Sequence, residues 1–205
     1  YMCKLLKIKG TVLPLTEEKV ELVGESIHGE YFGEEEVSQN IKYIQKVTYD
    51  HDIKICNEIR QKILEADLII LSMGSLYTSV LPNVICEEVK QTLGKSKAPI
   101  MYLCNVVTQP GETDKFTVGD HVELINKYLE TRKLDAVIAS NTKIDKKIAK
   151  KYYTQEQKDP VPIDHKKIKE LGVELIEDDL IIIEDNILRH NSLKLSSLIF
   201  SYLVR

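Results

Sequence analysis

The sequence predicts an α/β protein with a mainly parallel sheet and crossover helices, preceded by a β-rich N-terminal extension. Three observations carry this reading. Short continuous apolar runs at residues 68–71, 100–107, 136–139 and 180–183 have the length of strands buried on both faces. Segments with an apolar stripe at three- and four-residue spacing lie between them, the alternation expected of strand, helix, strand units. Before about residue 55 the pattern changes to loosely alternating segments punctuated by Gly24, Gly29 and Gly33, which read as an irregular, β-rich part.

In chain order, residues 4–12 and 19–23 alternate loosely and belong to that extension, residues 1–54. Residues 55–205 form the core of what reads as a single domain, since 205 residues suffice for one well-built hydrophobic core. Ile55, Ile59 and Ile63 give a first helix one apolar stripe. The first strand follows at 68–71. A helix after Pro82 places Val84, Ile85, Val89 and Leu93 inward, with Gly94 as its expected stop. The second strand lies near 100–107. Val118, Val122, Ile125 and Leu129 mark the next helix, with Asp120 suited to the positive end of its dipole. Strand three is 136–139. Residues 143–158 are polar and lysine-rich, residues 168–171 suggest a short helix, and 180–183 is another buried strand candidate. Leu195, Leu198, Ile199, Tyr202 and Leu203 close the chain as an amphipathic helix.

Composition excludes several classes. An apolar share of 43% and a charged share of 29% are ordinary globular values. No apolar run approaches the roughly 18 residues of a spanning helix, and Tyr1-Met2-Cys3-Lys4 opens no secretory pattern, so the expectation is a cytoplasmic protein with no membrane partner. With 28 basic and 32 acidic residues the formal charge is −4, which disfavours nucleic acid. Cys3, Cys56, Cys86 and Cys104 have neither zinc nor disulfide spacing, and His28, His51, His121, His165 and His190 form no helical pair of metal ligands.

Chemistry in an open parallel sheet sits outside the carboxyl ends of the strands. Three loops qualify. The first runs from Ser72 to Ser79, where Gly74 permits close backbone approach and Ser75, Thr78 and Ser79 offer hydroxyls. The second, 105–114, is dense in donors and acceptors, and the third is Ser140-Asn141. Together they describe either a phosphate or nucleotide pocket or a set of turns and helix caps, for which the same residues are equally suited. Ser75 has no nucleophile elbow around it and no histidine or aspartate in a supporting order. Lys143, Lys146, Lys147, Lys150 and Lys151 read as a solvated helix face. Tyr153 and Arg189 are of greater interest, because an aromatic ring and a guanidinium can stack a base and clamp a diphosphate, the alternative being that either simply packs at the surface.

The segments Gly74-Ser75-Leu76-Tyr77-Thr78-Ser79-Val80-Leu81-Pro82-Asn83 and Cys104-Asn105-Val106-Val107-Thr108-Gln109-Pro110-Gly111-Glu112-Thr113-Asp114 resemble the YvcK-type gluconeogenesis factors, a branch of the CofD-like (2-phospho-L-lactate transferase) family. Shorter matches are Val12 to Thr16, Glu65 to Ile69, Asp120-His121-Val122 and Ile187 to His190. The chain departs from the family at Ser72-Met73-Gly74, where relatives carry Gly-Pro-Gly, and at Asn191, where many have Asp. It also contains neither the Gly-Gly-Thr-Gly loop nor the Asp-Asp-Gly-Gly segment of the family's N-terminal part.

The resemblance implies a Rossmann-like fold with helices on both faces of the sheet. It implies a regulator of carbon metabolism, cell shape and cell-wall synthesis that binds a nucleotide sugar such as UDP-N-acetylglucosamine and needs no cofactor. By position, Gly74, Ser75, Tyr77, Thr78, Asn105, Thr108 and Gln109 would line the ligand site, with Tyr153 and Arg189 as its C-terminal aromatic and arginine. The competing expectations are a CofD-like transferase of a phospho-lactyl type group, with magnesium held on the diphosphate and Glu112 and Asp114 contributing, and an incomplete chain that needs a partner to form the site. A homodimer is a further expectation.

Overall fold

The computed structural model describes residues 10–184 and 187–205. Its central feature is a four-stranded, all-parallel sheet in the order β4 (Ile69–Leu71), β5 (Ile100–Leu103), β6 (Ala136–Ser140), β7 (Glu174–Asp178). Strand order equals chain order, so every connection crosses over one face. α3 (Glu87–Lys95) joins β4 to β5, α4 (Val118–Leu129) joins β5 to β6, and α5 (Lys146–Glu156) and α6 (His165–Glu170) lie between β6 and β7. α2 (Asn57–Glu65) precedes β4. Val89, Leu93, Val122, Ile125, Leu129 and Ile168 from these helices pack with Ile100, Tyr102, Val137 and Ala139 of the sheet.

The opposite face carries Met101, Leu103, Ala136, Ile138 and Ile176, and it is covered by Leu195, Leu198, Ile199 and Tyr202 of the last helix, α7 (Ser192–Leu203). Helices therefore lie on both faces, as the sequence predicts. The extension is organised as an antiparallel sheet, β2-β1-β3, of β1 (Leu22–Ser26), β2 (Gly29–Phe32) and β3 (Ile44–Tyr49), with α1 (Gly33–Gln39) between β2 and β3. Its Leu22, Val37, Ile44 and Val47 join the same hydrophobic cluster as Ile100 and Tyr102. The alternation read at residues 4–9, and Cys3, lie outside the described residues, while 10–20 have no regular structure.

Four details differ from the sequence reading. The run at 68–71 forms an edge strand, not a doubly buried one: Ile70 is 39% exposed. The chain does not run straight from Pro82 into a helix: a π-helical turn at Leu76–Val80 leads into a 3-10 turn at Leu81–Asn83 that contains Pro82, and α3 starts only at Glu87. Gly94 lies inside α3, which ends at the Ser96 cap. Residues 180–183 do not enter the main sheet. Leu180 is buried, but β8 (Ile181–Glu184) pairs only with β9 (Ile187–His190), and Ile183 is 48% exposed. The sheet's fourth strand is instead β7, whose Glu174 and Glu177 project to solvent, a charged outer strand that an apolar run does not signal.

The N-terminus of α4 shows how tightly these helices are tied. Thr117 Oγ1 accepts from the Asp120 amide and Asp120 Oδ2 accepts from the Thr117 amide, a capping box. Asp164 Oδ1 accepts from the Gly119 amide at 2.7 Å, and Lys167 Nζ lies 2.6 Å from Asp120 Oδ1, which locks α6 onto α4. A Cβ at position 119 would lie 2.6 Å from Asp164 Oδ2 and 2.9 Å from Lys167 Cγ. Gly119→Ala therefore overpacks a fixed ion-paired corner, at a cost of about 1–3 kcal/mol that outweighs the gain in helix propensity. Thermal unfolding of the variant is expected several degrees below the parent, and an unchanged or raised midpoint would refute this account of the corner.

Candidate functional site

The parallel sheet delivers the loops after β4, β5 and β6 to one edge. The first two are physically joined there. Asn105 Oδ1 accepts from the Gly74 amide at 3.2 Å while Asn105 Nδ2 donates to the Gly74 carbonyl at 2.8 Å. Glu112 reaches back from the second loop: its Oε1 accepts from Ser75 Oγ at 2.7 Å and from the Tyr77 amide at 2.6 Å. Ser75 Oγ in turn accepts from the Thr78 amide and from Thr78 Oγ1 at 2.8 Å. Both lone pairs and the proton of the Ser75 hydroxyl are thus committed, which fits an anchor of the Leu76–Val80 turn and not a nucleophile.

The second loop is pinned along its length. Thr108 is buried, its amide donating to the Asp159 carbonyl and its Oγ1 accepting from the Asp159 amide, next to a bridge between Val107 and Pro160. The Gln109 amide donates to Thr113 Oγ1, and the Thr113 amide donates to the Gln109 carbonyl. Gly111, at φ 77°, passes so close to residues 41–42 that a Cβ would sit 3.1 Å from Ile41 Cγ2. The third loop belongs elsewhere. Ser140 and Thr142 are bonded to each other and to the amides of Leu180 and Ile181, holding the corner before β8.

Two cavities flank the pinned loop. One of about 260 Å³ is lined by Ser75, Thr78, Gln109, Pro110, Glu112 and Lys158, together with Ser38 near the end of α1 and Ile41 just after that helix. The other, about 690 Å³, is lined by Asp114, Lys115, Tyr153, Thr154, Gln157 and Asp159. Lys115 and Gln157 at its rim hold left-handed backbone, φ 62° and 54°. Lys158 and Asp159, adjacent in the chain, face one cavity each. Gln109 Oε1 is buried and has no donor among the described residues.

Of the residues proposed from sequence, Ser75, Thr78 and Gln109 line the smaller cavity and Tyr153 the larger. Gly74 and Asn105 join the loops behind them, whereas Tyr77 and Thr108 are buried side chains. Tyr153, 62% exposed, stands on α5; its neighbour Tyr152 is buried and accepts from the Leu188 amide, so α5 and the β8–β9 hairpin are held together. Arg189 projects from that hairpin 3.7 Å from Glu184, and His190 Nε2 lies 3.3 Å from the Cys104 carbonyl at the end of β5. Sequence reading missed Ser38, Ile41 and Lys158. They carry no motif: the packing of the extension brings Ser38 and Ile41 to the site, and the pairing of residues 107–108 with 159–160 brings Lys158. Glu112, a possible magnesium contributor only under the competing transferase expectation, uses its Oε1 here as the clamp between the loops. Among the described residues no three His, Cys, Asp or Glu side chains form a metal-binding group.

Burial pushes the Glu112 carboxyl above the ordinary glutamate range, against the lowering effect of the Tyr77 amide, the Ser75 hydroxyl and the Leu76 amide. A carboxyl whose folded pKa is raised contributes stability that is present below its unfolded value and is lost as pH rises through the folded one. Glu112→Gln, neutral throughout, is expected to become progressively more stable relative to the parent from roughly pH 4 upward. Urea midpoints across that range check this, and parallel pH profiles would overturn it. Glu112→Ala leaves the Ser75 and Tyr77 donors unpartnered and should cost about 3 kcal/mol or more.

The comparisons agree with this architecture. The family model described as 2-phospho-L-lactate transferase CofD matches residues 1–181. The gluconeogenesis factor of Bacillus subtilis is 34% identical over 204 residues, covering 98% of this chain and 64% of the relative. The gluconeogenesis factor of Halalkalibacterium halodurans is 36% identical over 200 residues, covering 97% of this chain and 62% of the relative. A crystal structure of a Bacillus halodurans protein superposes with a TM-score of 0.88 at 35% identity, covering 97% of this chain and 64% of that one. The chain thus spans less than two thirds of the length of these proteins. The sheet with its joined strand-end loops, together with a family match running through both loops, shows that this chain belongs to the CofD family.

Proposed function

We propose that the protein binds a nucleotide sugar of the UDP-N-acetylglucosamine type and acts as a cytoplasmic regulator of the gluconeogenesis factor class, serving carbon metabolism, cell shape and cell-wall synthesis. The observation that carries this reading is Gln109, whose Oε1 is buried without a donor among the described residues and which lines a polar cavity with Ser75 and Thr78. Hydroxyl and acetamido groups of a sugar supply such donors. The adjoining cavity of about 690 Å³ falls within the roughly 300–1,000 Å³ of ordinary ligand pockets and offers the exposed Tyr153 ring for a base. Arg189 lines neither cavity, but its hairpin is braced against α5, which carries Tyr153, and this reading assigns its guanidinium to the diphosphate. The hydroxyl and carboxylate of Ser75 and Glu112 are occupied by each other, which favours binding over covalent chemistry.

A second reading, a CofD-like transferase, draws on the family match to residues 1–181. It requires magnesium on a nucleotide diphosphate, with Asp114 and Asp159 as the carboxylates beside the larger cavity. A third draws on the chain spanning less than two thirds of the relatives' length and on the side of β4 that pairs with no strand among the described residues, where a further segment or partner would complete the site.

Calorimetric titration separates these. UDP-N-acetylglucosamine is expected to saturate one site, Arg189→Ala to weaken binding at least about tenfold, and Tyr153→Ala to weaken it by a few fold. Absence of saturable heat with folded protein would sink the regulator reading. Guanosine diphosphate binding that depends on magnesium would favour the transferase.

A further inference from the structure

Helix α5 carries its charges in the order that a helix disfavours. Lys146 and Lys147 stand in a first turn that holds no acidic residue, and Glu156 ends a last turn that holds no basic one. The helix dipole is positive where the lysines stand, so it opposes both. Lys146 with Lys150, and Lys147 with Lys151, are like charges four residues apart, a spacing that is destabilising on a helix surface. Asp145 caps the helix through the Lys147 amide and not through an ammonium group. All five lysines of residues 143–151 are exposed, and among the described residues no carboxylate lies within ion-pairing distance of them. Lysines elsewhere are answered within the molecule, Lys90 by Glu87 and Glu130, Lys167 by Asp120 and Glu123. Exposure by itself describes a solvated face. A charge pattern that works against its own helix points to a charge supplied from outside.

The positive charge is also confined. Residues 143–151 hold five lysines and one acid, a local charge of +4 in a chain of −4, so the rest of the sequence sums to −8. At about 100° per residue the four lysines of α5 and the exposed Tyr153 span an arc of about 160°, centred opposite Tyr152, whose buried side chain ties the helix to the β8–β9 hairpin. From Lys146 to Lys151 the helix axis advances only about 8 Å. A nucleic-acid duplex or an anionic bilayer extends far beyond that footprint and would meet the surrounding negative charge. A short run of carboxylates would not. We propose that the lysine face of α5 is the docking surface for a short acidic segment of another protein, whose carboxylates lie between the rows Lys146–Lys150 and Lys147–Lys151. Such a contact is weak and salt-sensitive, with a dissociation constant on the order of 100 µM at low ionic strength.

Fluorescence anisotropy with a labelled glutamate-rich peptide of about twelve residues, beside its glutamine counterpart, tests this. Saturable binding of the glutamate peptide alone is expected, weakened about tenfold between roughly 50 and 300 mM salt. Lys146→Glu combined with Lys147→Glu should abolish it. The same variant should unfold about 1–2 °C higher than the parent, because both glutamates then suit the dipole and stand four residues before Lys150 and Lys151. Lys97→Glu combined with Lys133→Glu, exposed lysines outside α5, changes the net charge equally and should leave the affinity within about threefold. A lowered midpoint in the first variant, equal loss in both variants, binding of the glutamine peptide, or no binding of the glutamate peptide would each overturn the proposal. Tighter binding of duplex DNA or of phosphatidylglycerol vesicles than of the peptide would overturn it as well, and would give the face to a nucleic acid or a membrane.

Discussion

Strand β5 has to be covered on both faces, since Ile100, Met101 and Tyr102 keep none of their surface and Leu103 keeps 5%. That requirement organises the rest of the molecule. A strand apolar on both sides pairs in parallel with β4 and β6, and parallel neighbours demand crossover connections. The crossovers put α3 and α4 on one face, and the other is left for α7. Because all four strands point the same way, the loops that leave them emerge at one edge. Polar residues scattered over 40 positions of sequence thereby become neighbours.

What the fold brings together, Glu112 and Asn105 hold together. A buried carboxylate is costly to desolvate, and the raised titration of Glu112 records that cost. It is offset by directed donors, the Ser75 hydroxyl and the Tyr77 amide, which would themselves be orphaned in a turn as irregular as Leu76–Val80. The clamp and the turn need each other. The same arrangement consumes the hydroxyl that a catalytic reading of Ser75 would require. Gln109 Oε1 is among the buried polar atoms left without a partner among the described residues, on a residue that lines the smaller cavity.

Local pattern made much of this legible. Apolar stripes at Ile59 and Ile63, at Val89 and Leu93, and at Val122, Ile125 and Leu129 mark helices that exist, because helical periodicity is a property of neighbouring residues. Runs at 100–103 and 136–139 mark the two strands that lie in the middle of the sheet. The same reasoning put 180–183 in the sheet and overlooked 174–178. An edge strand needs only one apolar side and benefits from charge, so Glu174 to Asp178 looks like a loop, while an apolar run can equally serve a hairpin that covers a corner.

The sequence by itself determined the fold class, the helices with their inner faces, and the two polar loops that meet at the strand ends. Those depend on interactions within a few residues or on the burial of continuous apolar runs. Only the tertiary structure decided that Glu112 is a clamp, that Tyr77 and Thr108 are interior, that Ser38, Ile41 and Lys158 close the cavity, and that α7 turns a second apolar side outward. Each of these rests on a contact between segments far apart in the chain. A side chain's chemistry states what it can do, and the residue placed opposite it decides what it does.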